Sequence, residues 1–430
     1  MRSRTANDLL LGFVFALSLS IAVAPARSDG NDRNRTSTRR NSDRHNHNLK
    51  APLSIVGVIP IPGSPMKSSD LIFADPGTAR VYLADRSNAS VDIFDAENNV
   101  FVGRVTGMAG VLTSGGGTST TNDRGPNGVL VTPSKLLWAG DGNSTAQMAD
   151  VDPTHTSTYL KIIQSISTAN PECDGGTATT HYCGRADELA YDPADHIIMI
   201  ANDEPLTTAV GHAATTPYAS FISTDTYAVL GQVLFPGATG LEQPVWDAKL
   251  HGFLITVPGA PSTLAVVTIQ GKPFKTTLAH SYPLGPSTCT SANGAVLGPF
   301  QHVLVSACGF PEIVDALSGK IIATISQVAG GDEVWYNAGD GRFYVASTNQ
   351  TTKVAALGVI DAETSTWLQN VDAAGAAEPT AFAENNHVFT DVKTNANPTA
   401  TPPVADTTVC ATYGYPGNGC VVIYTRGDDH

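Results

Sequence analysis

From residue 51 onwards, short apolar runs rich in Val, Ile, Tyr and Phe alternate with turns rich in Gly, Pro, Asn and Asp. Helical periodicity is scarce there, and runs of this length between such turns are typical of β-strands. One unit recurs: a polar residue opens a short apolar strand, a turn follows, and a second apolar strand begins. In the clearest copy, Glu242 stands nine positions before His251. The pattern predicts an all-β fold built from repeats.

Seven copies of this unit follow one another at intervals of roughly 40–60 residues, a period typical of propellers. The opening and turn residues are Asp70 and Arg80, Asn127 and Lys135, Asp187 and His196, Glu242 and His251, Asn293 and His302, Glu333 and Arg342, and Glu378 and His387. We therefore expect one seven-bladed β-propeller domain over residues 51–430. The last repeat is one strand short, and the strand expected at 54–61 has no repeat of its own. We expect that strand to complete the last blade and close the ring.

Two repeats resemble the YVTN-type β-propeller repeat, in which a Tyr-Val-Thr-Asn-like strand precedes a polar loop and a Val-x-Val-Ile-Asp strand. Residues 80–95 read RVYLADRSNASVDIFD. Residues 341–349 read GRFYVASTN, and residues 358–364 read GVIDAET. The resemblance implies an exported bacterial protein, at the cell surface or in the periplasm. Proteins of this type commonly have no assigned reaction, so the resemblance implies a fold more than a function.

The first 26 residues have the pattern of a secretory signal peptide. A basic start precedes the apolar run 9–24, and Ala24-Pro25-Ala26 offers a small-residue cleavage site, so we expect cleavage after Ala26. The alternative is an uncleaved membrane anchor, but a run of roughly 16 residues is short for a span. We expect no transmembrane span after cleavage, and a periplasmic or secreted protein.

Residues 27–50 are rich in Arg, Asn and Ser, and they predict a disordered basic arm. A solvated tether is one interpretation, and contact with nucleic acid or anionic lipid is another. The rest of the chain is acidic: residues 1–50 hold nine of the 25 Lys and Arg and four of the 39 Asp and Glu, so residues 51–430 carry a net charge of −19. This charge repels nucleic acid phosphates and favours cations or cationic partners.

Six cysteines behind an export signal predict disulfide bonds. Cys173 and Cys183 bracket a polar loop, and Cys410 and Cys420 bracket a tight reversal. Cys289 and Cys308 stand at adjacent ends of two antiparallel strands. The sequence therefore predicts the pairs 173–183, 289–308 and 410–420. No Cys-x-x-Cys-His motif occurs in the sequence, so we expect no covalently attached haem.

Propeller geometry separates the two ends of the repeated unit. The innermost strand of each blade lines the channel, so its opening residue and the loop after the second strand share one face, while the turn between the two strands lies on the opposite face. We therefore expect His196, His251, His302 and His387 to be dispersed on that opposite face. The openings, mostly acidic, should converge on the channel mouth.

A ring of carboxylate oxygens suits Ca²⁺ or Mg²⁺, and clustered acids raise one another's pKa. The predicted metal ligands are Asp70, Asp187, Glu188, Glu242, Glu333 and Glu378. The predicted ligand-binding residues are Arg86, Arg185, His181, Asp203 and Asp391, and the candidate catalytic residues are Glu242, Glu333 and His212. The alternative for each position is a structural hydrogen bond between blades. We expect Trp246, Trp335 and Tyr191 to pack between blades, with Trp138 buried as well.

Three functions fit these observations. The first is an exported propeller that binds a small ligand, a divalent cation or a protein partner at the acidic mouth. The second is a metal-dependent hydrolase or lactonase, similar in ligand chemistry to gluconolactonase-like propellers, which usually have six blades. The third is a propeller subunit of an oxidoreductase that resembles the heavy chain of quinoprotein amine dehydrogenases. We favour the binding protein.

Overall fold

The computed structural model describes residues 51–111, 124–142, 144–170, 185–203, 216–270 and 274–427. These residues form seven four-stranded antiparallel sheets. The strands of blades one to three are β2 (Ile72–Asp75), β3 (Arg80–Asp85), β4 (Ser90–Asp95), β5 (Val100–Thr106), β6 (Val129–Val131), β7 (Leu136–Asp141), β8 (Thr145–Asp150), β9 (Lys161–Ser167), β10 (Ala186–Asp192), β11 (Ile197–Asn202), β12 (Tyr218–Ser223) and β13 (Val229–Leu234). The seven-bladed β-propeller predicted from the repeats is confirmed.

Blades four to seven follow the same order. Their strands are β14 (Pro244–Asp247), β15 (Gly252–Val257), β16 (Thr263–Gln270), β17 (Lys275–Pro283), β18 (Ala295–Leu297), β19 (His302–Val305), β20 (Glu312–Asp315), β21 (Ile321–Thr324), β22 (Val334–Asn337), β23 (Arg342–Thr348), β24 (Ala355–Asp361), β25 (Thr366–Asp372), β26 (Ala376–Phe382), β27 (His387–Val392) and β28 (Cys420–Arg426). The short helices in the described ranges are Arg86–Asn88, Pro299–Gln301 and Val409–Thr412.

Acidic side chains hold many of the turns between strands. In blade one, Asp75 at the end of β2 accepts hydrogen bonds from the amide and the hydroxyl of Thr78, at 2.8 and 2.6 Å. Asp95 at the end of β4 accepts from the amides of Glu97 and Asn98. Side-chain acceptors of this kind satisfy backbone donors that the reversal leaves unpaired. The Asp positions therefore set where each strand ends.

The ring is closed by strand β1 (Leu53–Pro60), which forms the outer strand of blade seven. It pairs antiparallel with β28, from Leu53 opposite Arg426 to Pro60 opposite Cys420. The innermost strand of blade seven, β26, contacts the innermost strand of blade one, β2. The strand predicted at 54–61 therefore joins the last blade, as expected.

The core lies between neighbouring blades. Side chains of blades three and four, for example, form one buried cluster in which Phe221 and Phe253 meet with ring centroids 5.9 Å apart. Met199 and Ile255 are fully buried in the same cluster. Each such side chain stabilises the fold by about 1.5–3 kcal/mol relative to an exposed position. Packing between blades thus holds the inner strands, and the residues that open them, at fixed positions around the channel.

Two of the three predicted disulfides are confirmed. Cys289 is bonded to Cys308, and Cys410 is bonded to Cys420. The predicted pair of Cys173 and Cys183 lies outside the described residues, as do the predicted signal peptide 1–26 and basic arm 27–50. Within the described ranges, no helix is long and apolar enough to cross a membrane.

Replacing Cys289 and Cys308 together by alanine should lower the free energy of unfolding by about 3 kcal/mol, because the bond closes a loop of 19 residues. The matched comparison replaces Cys410 and Cys420 together by alanine. Their bond closes a loop of only 10 residues, so the free energy of unfolding should fall somewhat less. Urea unfolding followed by circular dichroism measures both. An unchanged urea midpoint in the first variant would contradict the prediction.

Candidate functional site

Four inner strands bring acidic residues to one face of the ring. Asp70 precedes β2, Asp187 and Glu188 lie near the start of β10, Glu242 precedes β14, and Glu333 immediately precedes β22. Because all the inner strands run in the same direction across the ring, their first residues meet at one mouth of the channel. The acidic ends of the repeated unit therefore converge in space.

The carboxylates form two groups of three. Oxygens of Asp70, Asp187 and Glu188 lie within 4.8 Å of one another, and so do oxygens of Glu188, Glu242 and Glu333. Glu188 belongs to both groups. We call the first group the arginine-side triad and the second the open triad, for the partners described below. Each triad offers only oxygen, the donor that Ca²⁺ and Mg²⁺ prefer.

In blades two and five the inner strand is preceded by Asn-Gly instead of an acidic residue, and the glycine allows the neighbouring acidic segment to approach closely. Blade two opens with Asn127-Gly128 and blade five with Asn293-Gly294. A Cβ at Gly128 would stand 2.3 Å from the Cα of Glu188, and a Cβ at Gly294 would stand 2.8 Å from the Cα of Glu333. No side chain fits at these distances, so glycine is required at both positions. These glycines allow the backbones that carry Glu188 and Glu333 to approach the neighbouring blade.

Two arginines neutralise the arginine-side triad. Arg86 donates to Asp70 Oδ2, to Asn127 Oδ1 at 2.8 Å and to the carbonyl of Ser69. Arg185 pairs with Asp187 Oδ2 and, at 3.2 Å, with Asp203 Oδ2. The sequence predicted Arg86, Arg185 and Asp203 to bind a ligand, and the structure places all three in nearly buried ion pairs. Removing one partner of such a pair leaves an uncompensated buried charge. These ion pairs therefore stabilise the structure of the channel mouth.

The open triad has no such cation. Among the described residues, no ion pair involves Glu188, Glu242 or Glu333. Glu188 and Glu333 are only 2% and 1% exposed, and the Oε2 atom of each is buried without a hydrogen-bond partner. Glu242 is partly exposed. Buried carboxylate oxygens without partners are costly, so a positive group between these carboxylates would stabilise them.

The open triad holds protons more tightly than ordinary carboxylates. Burial, followed by the charge of Asp70, raises the pKa of Glu188 to about 8. Burial, followed by the charges of Glu188 and Asp332, raises the pKa of Glu333 well above its usual range. The pKa of Glu242 is raised in the same direction by burial and by Asp203. A cation that binds here must therefore displace protons.

Glu378 and Asp391 each have a partner within the fold. Glu378 lies outside both triads, and its Oε1 accepts a 3.1 Å bond from Lys393 Nζ. The predicted metal ligand is thus the partner of a lysine that the sequence analysis did not single out, although Lys393 follows Asp391 in a loop expected at the mouth. Asp391 is fully buried, and its Oδ2 accepts a bond from Ser69 at 2.5 Å. The Glu378–Lys393 pair lies within blade seven, and the Asp391–Ser69 bond joins blade seven to the segment before β2.

The described histidines of the repeat lie on the opposite face. His196 Nδ1 is 2.9 Å from Asp225 Oδ1, and His251 Nε2 is 3.3 Å from Asp195 Oδ2. His302 and His387 stand at the first positions of β19 and β27, in equivalent places. The candidate ligands His181 and His212 lie outside the described residues. The histidines of the repeat are therefore dispersed around the far face.

Comparison with known proteins supports the fold. No family model matches the chain, and no curated protein matches it. Among solved structures, a chain in the "Crystal Structure of Mitotic Checkpoint Complex" matches with a TM-score of 0.52 and 12% identity, over 89% of this chain and 96% of that one. At this identity the similarity shows the propeller fold alone. The YVTN-type resemblance and the bacterial origin stay predictions.

Proposed function

We propose that this protein is an exported β-propeller that binds a divalent cation at the open triad of Glu188, Glu242 and Glu333. The observation that carries the proposal is the pair of buried, unpartnered carboxylate oxygens, on Glu188 and Glu333, in a triad that forms no ion pair with an arginine or lysine of the described ranges. The arginine-side triad differs because Arg86 and Arg185 already supply positive charge. We therefore expect the divalent cation to bind at the open triad rather than at the arginine-side triad.

The donor set favours Ca²⁺ over Mg²⁺. Ca²⁺ accepts six to eight oxygens in a flexible arrangement at about 2.3–2.6 Å, whereas Mg²⁺ usually keeps several waters and uses one or two carboxylates. Three glutamates from three different blades make a carboxylate-rich site, and partly exposed Glu242 leaves a side for water. A thiolate metal is disfavoured, because the four cysteines in the described ranges are all disulfide-bonded.

Export from the cell is consistent with both the disulfide bonds and the proposed Ca²⁺ site. Disulfides form and persist in oxidising compartments, and two are present among the described residues. Extracellular modules bind Ca²⁺ with dissociation constants of about 10⁻⁴–10⁻³ M, so even a weak site would be occupied there. The predicted signal peptide at residues 1–26 points to the same location.

Calorimetric titration of chelator-treated protein with Ca²⁺ should show one ion per chain. Glu188→Gln and Glu333→Gln should each weaken binding by at least about tenfold, because each removes a charge and an oxygen from the triad. Glu384→Gln is the matched control, since Glu384 is exposed in the turn between β26 and β27 on the far face. It should bind Ca²⁺ like the wild type. Wild-type affinity in both triad variants would overturn the assignment.

The same samples separate binding from catalysis. Burial places the pKa of Glu188 near 8, in a range suited to a general base, so hydrolysis is the second candidate. Ca²⁺-dependent turnover of an ester or lactone by the wild type, lost in Glu188→Gln, would assign a hydrolase. Ca²⁺ binding without turnover supports the binding protein.

A further inference from the structure

A cavity of about 440 Å³ occupies the centre of the ring. Inner strands of blades one to six contribute to its wall, including Leu71, Leu130, Leu189, Val245 and Val296. These residues follow the acidic openings along the inner strands, so the cavity lies deeper in the channel than the open triad. Ligand pockets for small molecules fall in the range of about 300–1,000 Å³. The cavity is thus large enough for a compact organic molecule.

Gln243 separates this cavity from the acidic mouth. It follows Glu242, and its side chain reaches from blade four to blade six. Its Oε1 accepts from the amide of Val334 and its Nε2 donates to the carbonyl of the same residue, each at 3.4 Å. Gly294 of blade five leaves space for this crossing, because a Cβ there would stand 2.8 Å from Gln243 Oε1. The channel therefore has acidic side chains at its mouth and apolar side chains beyond Gln243.

Aromatic rings line the end of the cavity nearer the far face. Phe73, Tyr191, Trp246 and Trp335 all lie one or two residues before the end of an inner strand. Tyr191, Trp246 and Trp335 pack against buried clusters between blades, as predicted. All four rings are also partly exposed at the cavity wall. Leu71 and Leu189, nearer the acids, are buried. Exposure increases towards the turns, so solvent reaches the cavity from the face that carries the histidines.

The wall selects against charge. In the described part of the chain, the residues that line this cavity include no Asp, Glu, Lys, Arg or His. An ion moved into such surroundings without a partner pays a large desolvation penalty. The carboxylates beyond Gln243 also disfavour an anion through their field. A neutral molecule avoids both costs.

The rings also select shape. Phe73 and Trp335 meet edge to face with centroids 5.5 Å apart, and Trp246 packs against Phe253 at 4.9 Å. Rings held in this way offer flat apolar surfaces and edges that suit another aromatic ring. We propose that the central cavity is a second binding site, entered from the far face, for a compact neutral aromatic molecule. This site is separate from the proposed cation site.

Titration with N-phenyl-1-naphthylamine, a neutral aromatic dye that brightens in apolar surroundings, tests the proposal. We expect saturable binding of one dye per chain. Its sulfonated relative, 1-anilinonaphthalene-8-sulfonate, should bind at least about tenfold more weakly, because its charge has no partner in the cavity. Val245→Trp, which fills the cavity, should weaken dye binding by a similar factor. Unsaturable binding, or equal affinity for the two dyes, would overturn the proposal.

Tryptophan emission locates the dye. Bound dye should quench Trp246 and Trp335, so the double variant Trp246→Phe/Trp335→Phe keeps an aromatic wall but loses most of the quenching. Trp367→Phe is the matched control, because Trp367 is exposed on an outer strand of blade six, and it should retain the quenching. Glu188→Gln should leave dye affinity unchanged, which separates this site from the cation site. Full quenching in the double variant would place the dye elsewhere and refute the proposal, even if Val245→Trp failed to fold.

Discussion

Raising the pH from about 5 to about 8 should lower the melting temperature of the calcium-free protein, and saturating Ca²⁺ should restore it. The folded-state pKa of Glu188 is about 8, raised by burial and by Asp70, from an ordinary value of 4.5. Between those two values the folded protein holds a proton that the unfolded chain has released. The stabilising contribution is complete below the unfolded pKa and is lost as the pH rises through the folded pKa. Glu242 and Glu333 shift in the same direction.

The size of this effect follows from linkage. Each glutamate that keeps its proton in the folded state changes the free energy of unfolding by about 1.4 kcal/mol per pH unit across the window. Ca²⁺ competes with these protons, so its stabilising effect should be larger at about pH 8 than at about pH 5. Differential scanning calorimetry at both pH values, with EGTA or with Ca²⁺, measures all four melting temperatures.

The variant Glu188→Gln isolates the contribution of one triad carboxylate to the melting temperature. The variant removes a buried charge at high pH, so the calcium-free melting temperature at about pH 8 should rise. The stabilisation by Ca²⁺ should become smaller, because the variant binds the ion more weakly. Asp92 and Glu378 also have a raised pKa of about 8, so the contribution of the triad is the difference between wild type and variant. Glu384→Gln should match the wild type throughout. If Glu188→Gln melted lower than the wild type without Ca²⁺, the carboxylate would be structural and the cation site would be wrong.

Deleting strand β1 should destabilise the protein more than any single substitution. The strand pairs with β28 along its whole length, and it buries Leu53 and Ile59. Leu53 also exchanges two hydrogen bonds with the Gln369 side chain of blade six, at 2.9 and 3.0 Å. Burial of the two side chains alone is worth about 3–6 kcal/mol, and the deletion also exposes the edge of β28 to other chains.

Thermal unfolding and size-exclusion chromatography test the deletion. A chain that starts after Pro60 should melt at least about 10 °C lower than the wild type or aggregate through the open edge. A chain that lacks only residues 1–50 is the control and should melt like the wild type. The single change Ile59→Ala should cost about 2–5 kcal/mol, which shows whether packing of this strand, rather than its mere presence, closes the ring. Wild-type melting of the shorter chain would refute the closure role.

The alternation of short apolar strands and turns was sufficient to locate the repeats in the sequence. The interval from Glu242 to His251 contains one short strand and one turn, and an interval of eight to ten residues with the same content recurs in every blade. Strand alternation and turn chemistry act over a few residues, so their positions can be read along the chain. The same pattern separated the acids from the histidines, because one strand always lies between them. The pair of Glu242 and His251 is therefore a unit of the blade rather than an acid-base pair.

The burial of aromatic residues is not determined by this local pattern. Trp246 and Trp138 are both apolar positions in strands, and the sequence treats them alike. In the structure Trp138 is fully buried, whereas Trp246 is partly exposed at the cavity. The difference depends on how far each strand stands from the ring axis and on which neighbours fill the space. Neither is encoded in the spacing of residues along one strand.

By itself, the sequence determined the seven blades, the strand that closes them and the acidic character of one face, because these depend on local periodicity, turn residues and composition. Only the tertiary structure decided which acids remain without a cation. Arg86 and Lys393 come from loops after second strands, and they meet Asp70 and Glu378 only because those loops fold back over the openings. Glu188 and Glu333 meet no such partner among the described residues, and the close approach of each backbone to a glycine of a neighbouring blade depends on contacts between distant parts of the chain.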